Sequence, residues 1–311
     1  MSVKFVVNFK KPKRIETREE NGFYFKDNGG PIVILIHGLT GTPNEMRFVA
    51  NFLNKKGYNI VCPKLANHDQ PIEILKDTKW QEFYESVRTA FLKADSENNH
   101  SPIFVAGLSM GALLALLLAE EFPNRISGVS CLSPTLFYDG WNVPWTRHLL
   151  HLVNWNPLKN FFYFKEEAPY GIKNETIRQR IYDYYQQADL NDLSRLSKYG
   201  YPYFPVTLLC ELQNLVKHLT KKLPNVHVPV QMLQAKNDDV TSVKNSQFIY
   251  DRISSQVKEI FLLHNSYHVI TADDDRETVA EKIDEFFSRA KNHSKGINAD
   301  GSHSPNVLTT T

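Results

Sequence analysis

Cysteine is scarce in this chain of 311 residues: Cys62, Cys131 and Cys210 are the only three, set far apart. An odd, scattered set excludes a disulfide framework and a clustered zinc site, and it suits a reducing compartment. Long apolar runs are scarce too. The longest, Ala112 to Ala119, falls far short of the roughly 20 residues that span a bilayer. The apolar block Phe5-Val6-Val7 is too short for the core of a secretory signal. A cytoplasmic protein is therefore expected, with contact to a lipid surface through the basic N-terminal loop and cap aromatics as the less favoured alternative. No large excess of one charge is present: the formal net charge is +2, so bulk attraction to nucleic acid or anionic lipid is not expected. The cluster Lys10, Lys11, Lys13 and Arg14 reads as a solvated loop. No nucleotide-binding glycine fingerprint occurs. His148 and His151 have no evident carboxylate partner and are not read as a metal site. Neither cofactor nor metal is expected.

What is present is a rhythm. With 42% hydrophobic residues, the chain can fill the core of one large α/β domain. Pro31 to Ile36 is a β-branched run typical of a strand buried on both faces. Glu45 to Lys56 has helical spacing (Met46, Val49, Phe52, Leu53) and stops before Gly57. Tyr58 to Cys62 reads as a strand, Trp80 to Ala94 as an amphipathic helix, Ile103 to Ala106 and Ile126 to Leu132 as strands. Val3 to Phe9 and Gly22 to Phe25 read as two earlier strands. The alternation predicts a mostly parallel sheet wrapped by helices, with ligands bound beyond the carboxyl ends of its strands.

The rhythm breaks from Pro134 to Pro205, a stretch rich in Trp, Tyr and Phe with one clear helical segment, Ile177 to Gln187. It reads as an inserted helical cap. The rhythm then resumes with a helix at Val206 to Lys222, strands at Val230 to Ala235 and Val257 to Leu263, and helices at Val243 to Ile253 and Glu277 to Ala290. The expected organisation is a core of residues 1–133 and 206–290, a cap of 134–205, and a disordered polar tail of 291–311.

Chemistry enters at Gly107-Leu108-Ser109-Met110-Gly111, between the strand at 103–106 and a run of strong helix formers. A serine at the apex of a strand–turn–helix is a nucleophile elbow; glycines two residues to either side allow close backbone approach. A serine hydroxyl needs a base, and the base needs a carboxylate to fix its tautomer. Both follow in chain order, each on a loop after a late strand: Asp238 or Asp239, and His264 or His268. Only one of each pair can serve. Asp238 is favoured, and His268 is favoured because it sits further out in its loop. His37, in the loop after the first buried strand, is read as a structural hydrogen-bonding residue, and His68-Asp69 as loop packing.

Four blocks in this order, His37-Gly38-Leu39-Thr40-Gly41, Ala106-Gly107-Leu108-Ser109-Met110-Gly111, Gln234-Ala235-Lys236-Asn237-Asp238 and Ser266-Tyr267-His268-Val269-Ile270-Thr271, resemble the α/β-hydrolase superfamily, and within it the small bacterial carboxylesterases and monoacylglycerol lipases. The resemblance implies a triad of Ser109, Asp238 and His268, with the backbone N–H groups of Leu39 and Met110 as oxyanion donors. Two departures stand out. Asn67-His68-Asp69 replaces a common Gly-His-Gly, and Tyr267 replaces a common glycine before the histidine. Tyr267, Trp141 and Trp145 are expected to contact substrate. The implied activity is hydrolysis of a small-molecule carboxylic ester with an apolar acyl or aryl group; a thioesterase, amidase or acyltransferase would use the same residues, and a non-catalytic ligand-binding scaffold is the remaining alternative.

Overall fold

In a computed structural model of the chain, the described residues are 3–5, 22–25, 29–98, 101–143, 160–187 and 200–299. The expectations at Trp145, at His148 and His151, and in the basic loop at 10–21 lie outside them.

The strands in chain order are β1 (Val3–Phe5), β2 (Gly22–Phe25), β3 (Ile32–Ile36), β4 (Asn59–Pro63), β5 (Ile103–Leu108), β6 (Ile126–Leu132), β7 (Phe162–Lys165), β8 (Tyr203–Pro205), β9 (Val230–Ala235) and β10 (Lys258–Leu263). The helices are α1 (Arg47–Lys55), α2 (Ile72–Leu75), α3 (Trp80–Ser96), α4 (Met110–Glu121), α5 (Glu175–Gln187), α6 (Val206–Lys222), α7 (Lys244–Arg252) and α8 (Arg276–Ala299). Seven strands form the main sheet in the order β10-β9-β6-β5-β3-β4-β2. All its pairings are parallel except β2 with β4.

Side-chain alternation divides the core into two layers. Ile32, Ile34 and Ile36 of β3 and Ile103 and Val105 of β5 join one apolar layer with Phe83, Val87 and Phe91 of α3. Val33 and Leu35, with Phe104, Ala106 and Leu108, join the other, under Val49 and Leu53 of α1 and Ile283, Phe286 and Phe287 of α8. Helix α4 is buried from Met110 to Ala119, and α3 and α6 pack against it. A helix covered on all sides has no use for a polar face, hence its unbroken Ala and Leu composition.

Three details differ from the pattern read in the sequence. Strand β1 does not join the main sheet; it pairs antiparallel with β7, which pairs antiparallel with β8, in a separate three-stranded sheet. Two of these strands lie within 134–205, so that stretch is not wholly helical and its sheet borrows a strand from the start of the chain. Helix α8 runs on to Ala299, into the segment expected to be disordered; extending an established helix costs far less than starting one.

A tight backbone constraint lies at the elbow. Ser109 has φ 57° and ψ −117°, and its N–H donates to the Leu132 carbonyl at 2.8 Å. A Cβ on Gly107 would collide with the carbonyl of Gly111, and one on Gly111 with the carbonyl of Ile36. Gly111→Ala is therefore expected to cost about 3 kcal/mol, a fall in Tm of about 5 °C for a chain of this length, read by thermal denaturation. An unchanged Tm would show that α4 can shift away from β3 at little cost.

Candidate active site

Strands β3, β5, β9 and β10 run parallel, so the loops after them open at one edge of the sheet. Those loops carry residues 37–41, 109, 238–239 and 268.

Asp238 is buried and held from four directions. Oδ1 accepts the N–H of Val240 at 2.8 Å and of Thr241 at 2.9 Å, and Oδ2 accepts Gln234 Nε2 at 2.9 Å. His268 Nδ1 lies 3.0 Å from Oδ2 and 3.1 Å from Oδ1. A carboxylate accepts only, so Nδ1 carries the hydrogen and Nε2 is left with a lone pair. Burial alone would lower the pKa of His268, but the charge and hydrogen bond of Asp238, with Asp239 and Glu45, raise it on balance. Of the adjacent acids, Asp238 meets the ring. Asp239 turns to backbone, accepting the N–H of His268 at 3.3 Å and of Gly171 at 3.2 Å; burial pushes its carboxyl up to about 6. His264 is exposed.

Ser109 and His268 line one pocket, together with Leu39, Leu108, Val143, Phe164, Phe204, Leu209 and Val269. The Ser109 hydroxyl lies 3.0 Å from Thr135 Oγ1. Thr135 Oγ1 donates to the Ser133 carbonyl at 3.2 Å, so Ser109 is the donor in this pair.

Loop 37–41 is fixed one peptide at a time. Leu65 N–H donates to His37 Nε2 at 3.1 Å, so Nδ1 carries the hydrogen and donates to the Gly38 carbonyl at 2.9 Å. In a trans peptide the next N–H points the opposite way, so this bond sets the direction of the Leu39 N–H. That amide donates to no protein acceptor among the described residues. Met110 is the first residue of α4, where a helix leaves its N–H groups unpaired. Buried His68 lies between two carbonyls, Nε2 at 2.6 Å from that of Leu39 and Nδ1 at 3.1 Å from that of Ala66, and Tyr201 N–H donates to the Thr40 carbonyl at 3.1 Å. Burial keeps both histidines neutral. His37 thus has the structural role expected, and His68 does more than pack its own loop.

The inserted stretch closes the other side. It supplies Phe164, Glu166, Tyr170, Gly171 and Phe204 to the pocket wall, and Val269 N–H donates to the Gly171 carbonyl at 2.8 Å. Of the aromatic residues expected to contact substrate, Trp141 is 59% exposed. It packs edge-on against Tyr267 at 5.5 Å between ring centroids and donates to the Asn237 carbonyl at 3.0 Å. Neither Trp141 nor Tyr267 lines the pocket. Glu45 and Glu166 do, and composition gave no sign of them. Among the described residues no cluster of His, Cys, Asp and Glu is arranged to hold a metal ion, and no helix is long and apolar enough to cross a membrane.

A family model described as serine aminopeptidase, S33, matches residues 30–275. The chain belongs to that family. It is similar to a thermostable monoacylglycerol lipase of Bacillus sp. (strain H-257), 29% identical over 86% of this chain and 94% of the relative. A carboxylesterase of Bacillus subtilis (strain 168) is 24% identical over 86% and 96%. A solved structure of a metagenome-derived lipolytic enzyme superposes with a TM-score of 0.67 at 26% identity, covering 83% of this chain and 94% of its own.

Because Asp238 raises the pKa of His268, Asp238→Asn is expected to lower it, as read by an NMR pH titration of the ring protons. An unchanged titration would mean that another charge governs the ring.

Proposed function

We propose that this chain, an α/β hydrolase of the lipase and esterase kind, cleaves carboxylic esters with Ser109 as nucleophile, His268 as base and Asp238 as its orienting acid. The observation that carries the reading is the bond from His268 Nδ1 to Asp238, which leaves Nε2 basic in the pocket that Ser109 lines. A turn of χ1 takes the Ser109 hydroxyl from Thr135 toward the imidazole. His268 removes the proton as Oγ attacks the acyl carbon. The negative oxygen that forms is received by the Leu39 and Met110 N–H groups, each worth about 2.7–4 kcal/mol in such sites. His268 then protonates the departing alcohol, and water repeats the sequence on the acyl-enzyme.

The substrate class follows from the wall and from the relatives. Leu108, Val143, Phe164, Phe204, Leu209 and Val269 offer an apolar lining, which favours an apolar acyl chain at roughly 25 cal/mol per Å² buried. The similar proteins are named as acting on monoacylglycerols and carboxylic esters, so a monoacylglycerol or a comparably small ester is the substrate class proposed. Residues 134–205 act as the cap over this pocket. Cys62, Cys131 and Cys210 are buried and joined in no disulfide, in keeping with a reducing, cytoplasmic setting.

The test is a panel of p-nitrophenyl esters and monoacylglycerols of graded chain length. Turnover is expected to peak at an intermediate acyl length, and Ser109→Ala to lower kcat by on the order of 10⁶. Full activity in that variant would end the proposal.

A further inference from the structure

Glu45 is a carboxyl group in a place where an oxyanion gives no reason to have one. It shares the pocket wall with Leu39, Ser109 and His268, close enough to His268 for its charge to raise the ring's pKa. The oxyanion loop is wrapped around it. Gly38 donates its N–H to Glu45 Oε2 at 3.0 Å, and a Cβ on Gly41 would collide with the Glu45 carboxyl. The other holds on this loop act on carbonyls: His37 on Gly38, His68 on Leu39, Tyr201 on Thr40. Among the described residues, Glu45 alone holds a loop N–H from a side chain, in the peptide immediately before the one that aims Leu39.

We infer that Glu45 is a positioning residue of this site that works in its neutral form. As an acceptor for Gly38 it fixes the loop that presents the Leu39 N–H; once ionised, it sets a negative charge in the pocket where the oxyanion must form. The inference rests on the reading of Ser109, His268 and Leu39 given above.

The surroundings favour the neutral form up to about neutrality. Burial pushes the Glu45 carboxyl up to about 7, with the Gly38 amide and His268 pulling the other way. Across the pocket, Glu166 is itself pushed up to about 7, by burial and then by Glu45 and Asp239, against its hydrogen bond from Tyr185 and against His268. The Tyr185 hydroxyl, bonded to Glu166, and the Cys62 thiol behind the loop also feel Glu45. Arg47, two residues on, turns its guanidinium to Asn44 and the Phe23 ring. His268 is thus the cationic partner that bears on Glu45, and it must be neutral to act as a base.

The sign follows. For a neutral ester, kcat/KM rises as His268 loses its proton and falls again above about pH 7 as Glu45 ionises. Glu45→Gln keeps the acceptor and the volume but cannot ionise. Its falling limb is expected to vanish and its rising limb to move to lower pH. At pH 9 its kcat/KM should exceed the parent's by about tenfold, the order expected for one charge several ångströms from the reacting oxygen at a protein's effective dielectric. Glu45→Ala loses the acceptor; its kcat should fall about 10²-fold even at pH 6, the effect of a loosened loop, with KM little changed.

The experiment is the pH–rate profile of parent, Glu45→Gln and Glu45→Ala on one neutral p-nitrophenyl ester, with Tm recorded for each. If Glu45→Gln superimposes on the parent throughout, or matches Glu45→Ala at pH 6, the role assigned to Glu45 is wrong. A parent whose turnover survives Ser109→Ala would instead remove the underlying reading, and this one with it.

Discussion

The site hangs from a contact that contains no side chain. Gly111, in the first turn of α4, lies against the carbonyl of Ile36 at the end of β3, with no room for a methyl group between them. That approach brings the start of the helix against the Ile36 and His37 carbonyls, at the head of loop 37–41. The same approach leaves Ser109 at φ 57°, a conformation that costs a non-glycine residue on the order of 1 kcal/mol or more. The surrounding core makes it hold. Helix α4 is buried along nearly its whole length, and sliding it off β3 would open a void in a close-packed interior.

Around this contact the polar groups form a chain of single-purpose bonds. Asp238 is saturated by two backbone amides, a glutamine and the His268 ring. Asp239 and Gly171 hold the backbone of residues 268 and 269. Asp273, fully buried, accepts the N–H groups of Lys173, Asn174 and Tyr267 at 2.6, 2.9 and 2.9 Å. That carboxylate ties the histidine loop to the start of α5 in the inserted stretch. A loop pinned on this many sides has little freedom to reorganise, and preorganised dipoles are what electrostatic stabilisation of an oxyanion requires.

Much of the architecture was legible because burial leaves a period. The unbroken apolar run at Ile32–Ile36 and the helical stripe of Met46, Val49 and Leu53 declare a strand and a helix without any long-range information. Ser109 was legible because a strand, two glycines and a helix occur together around it. Other features left no such mark. The pairing of Val3–Phe5 with Phe162–Lys165 joins segments far apart in sequence, and short strands carry too few residues to show alternation. Glu45 reads as the first residue of an amphipathic helix, but Thr42 and Pro43 open a 3₁₀ turn over Pro43–Met46. With three residues per turn rather than 3.6, Glu45 turns under loop 37–41. Aromatic content pointed to Trp141 as a substrate contact, and the departure from the family pattern pointed to Tyr267; the two rings pack on each other outside the wall, and composition cannot say which face of an aromatic-rich stretch looks inward.

The central claim is that three loops and a helix start meet around one reacting oxygen. It is tested most directly by a crystal structure of the chain after reaction with a phosphonate ester. The account predicts a covalent bond to Ser109 Oγ, one phosphoryl oxygen within about 2.7–3.1 Å of both the Leu39 and Met110 nitrogens, and His268 Nε2 facing the bonded oxygen. A phosphonate attached elsewhere, or one whose oxygen points to solvent with Leu39 N–H unused, would contradict it.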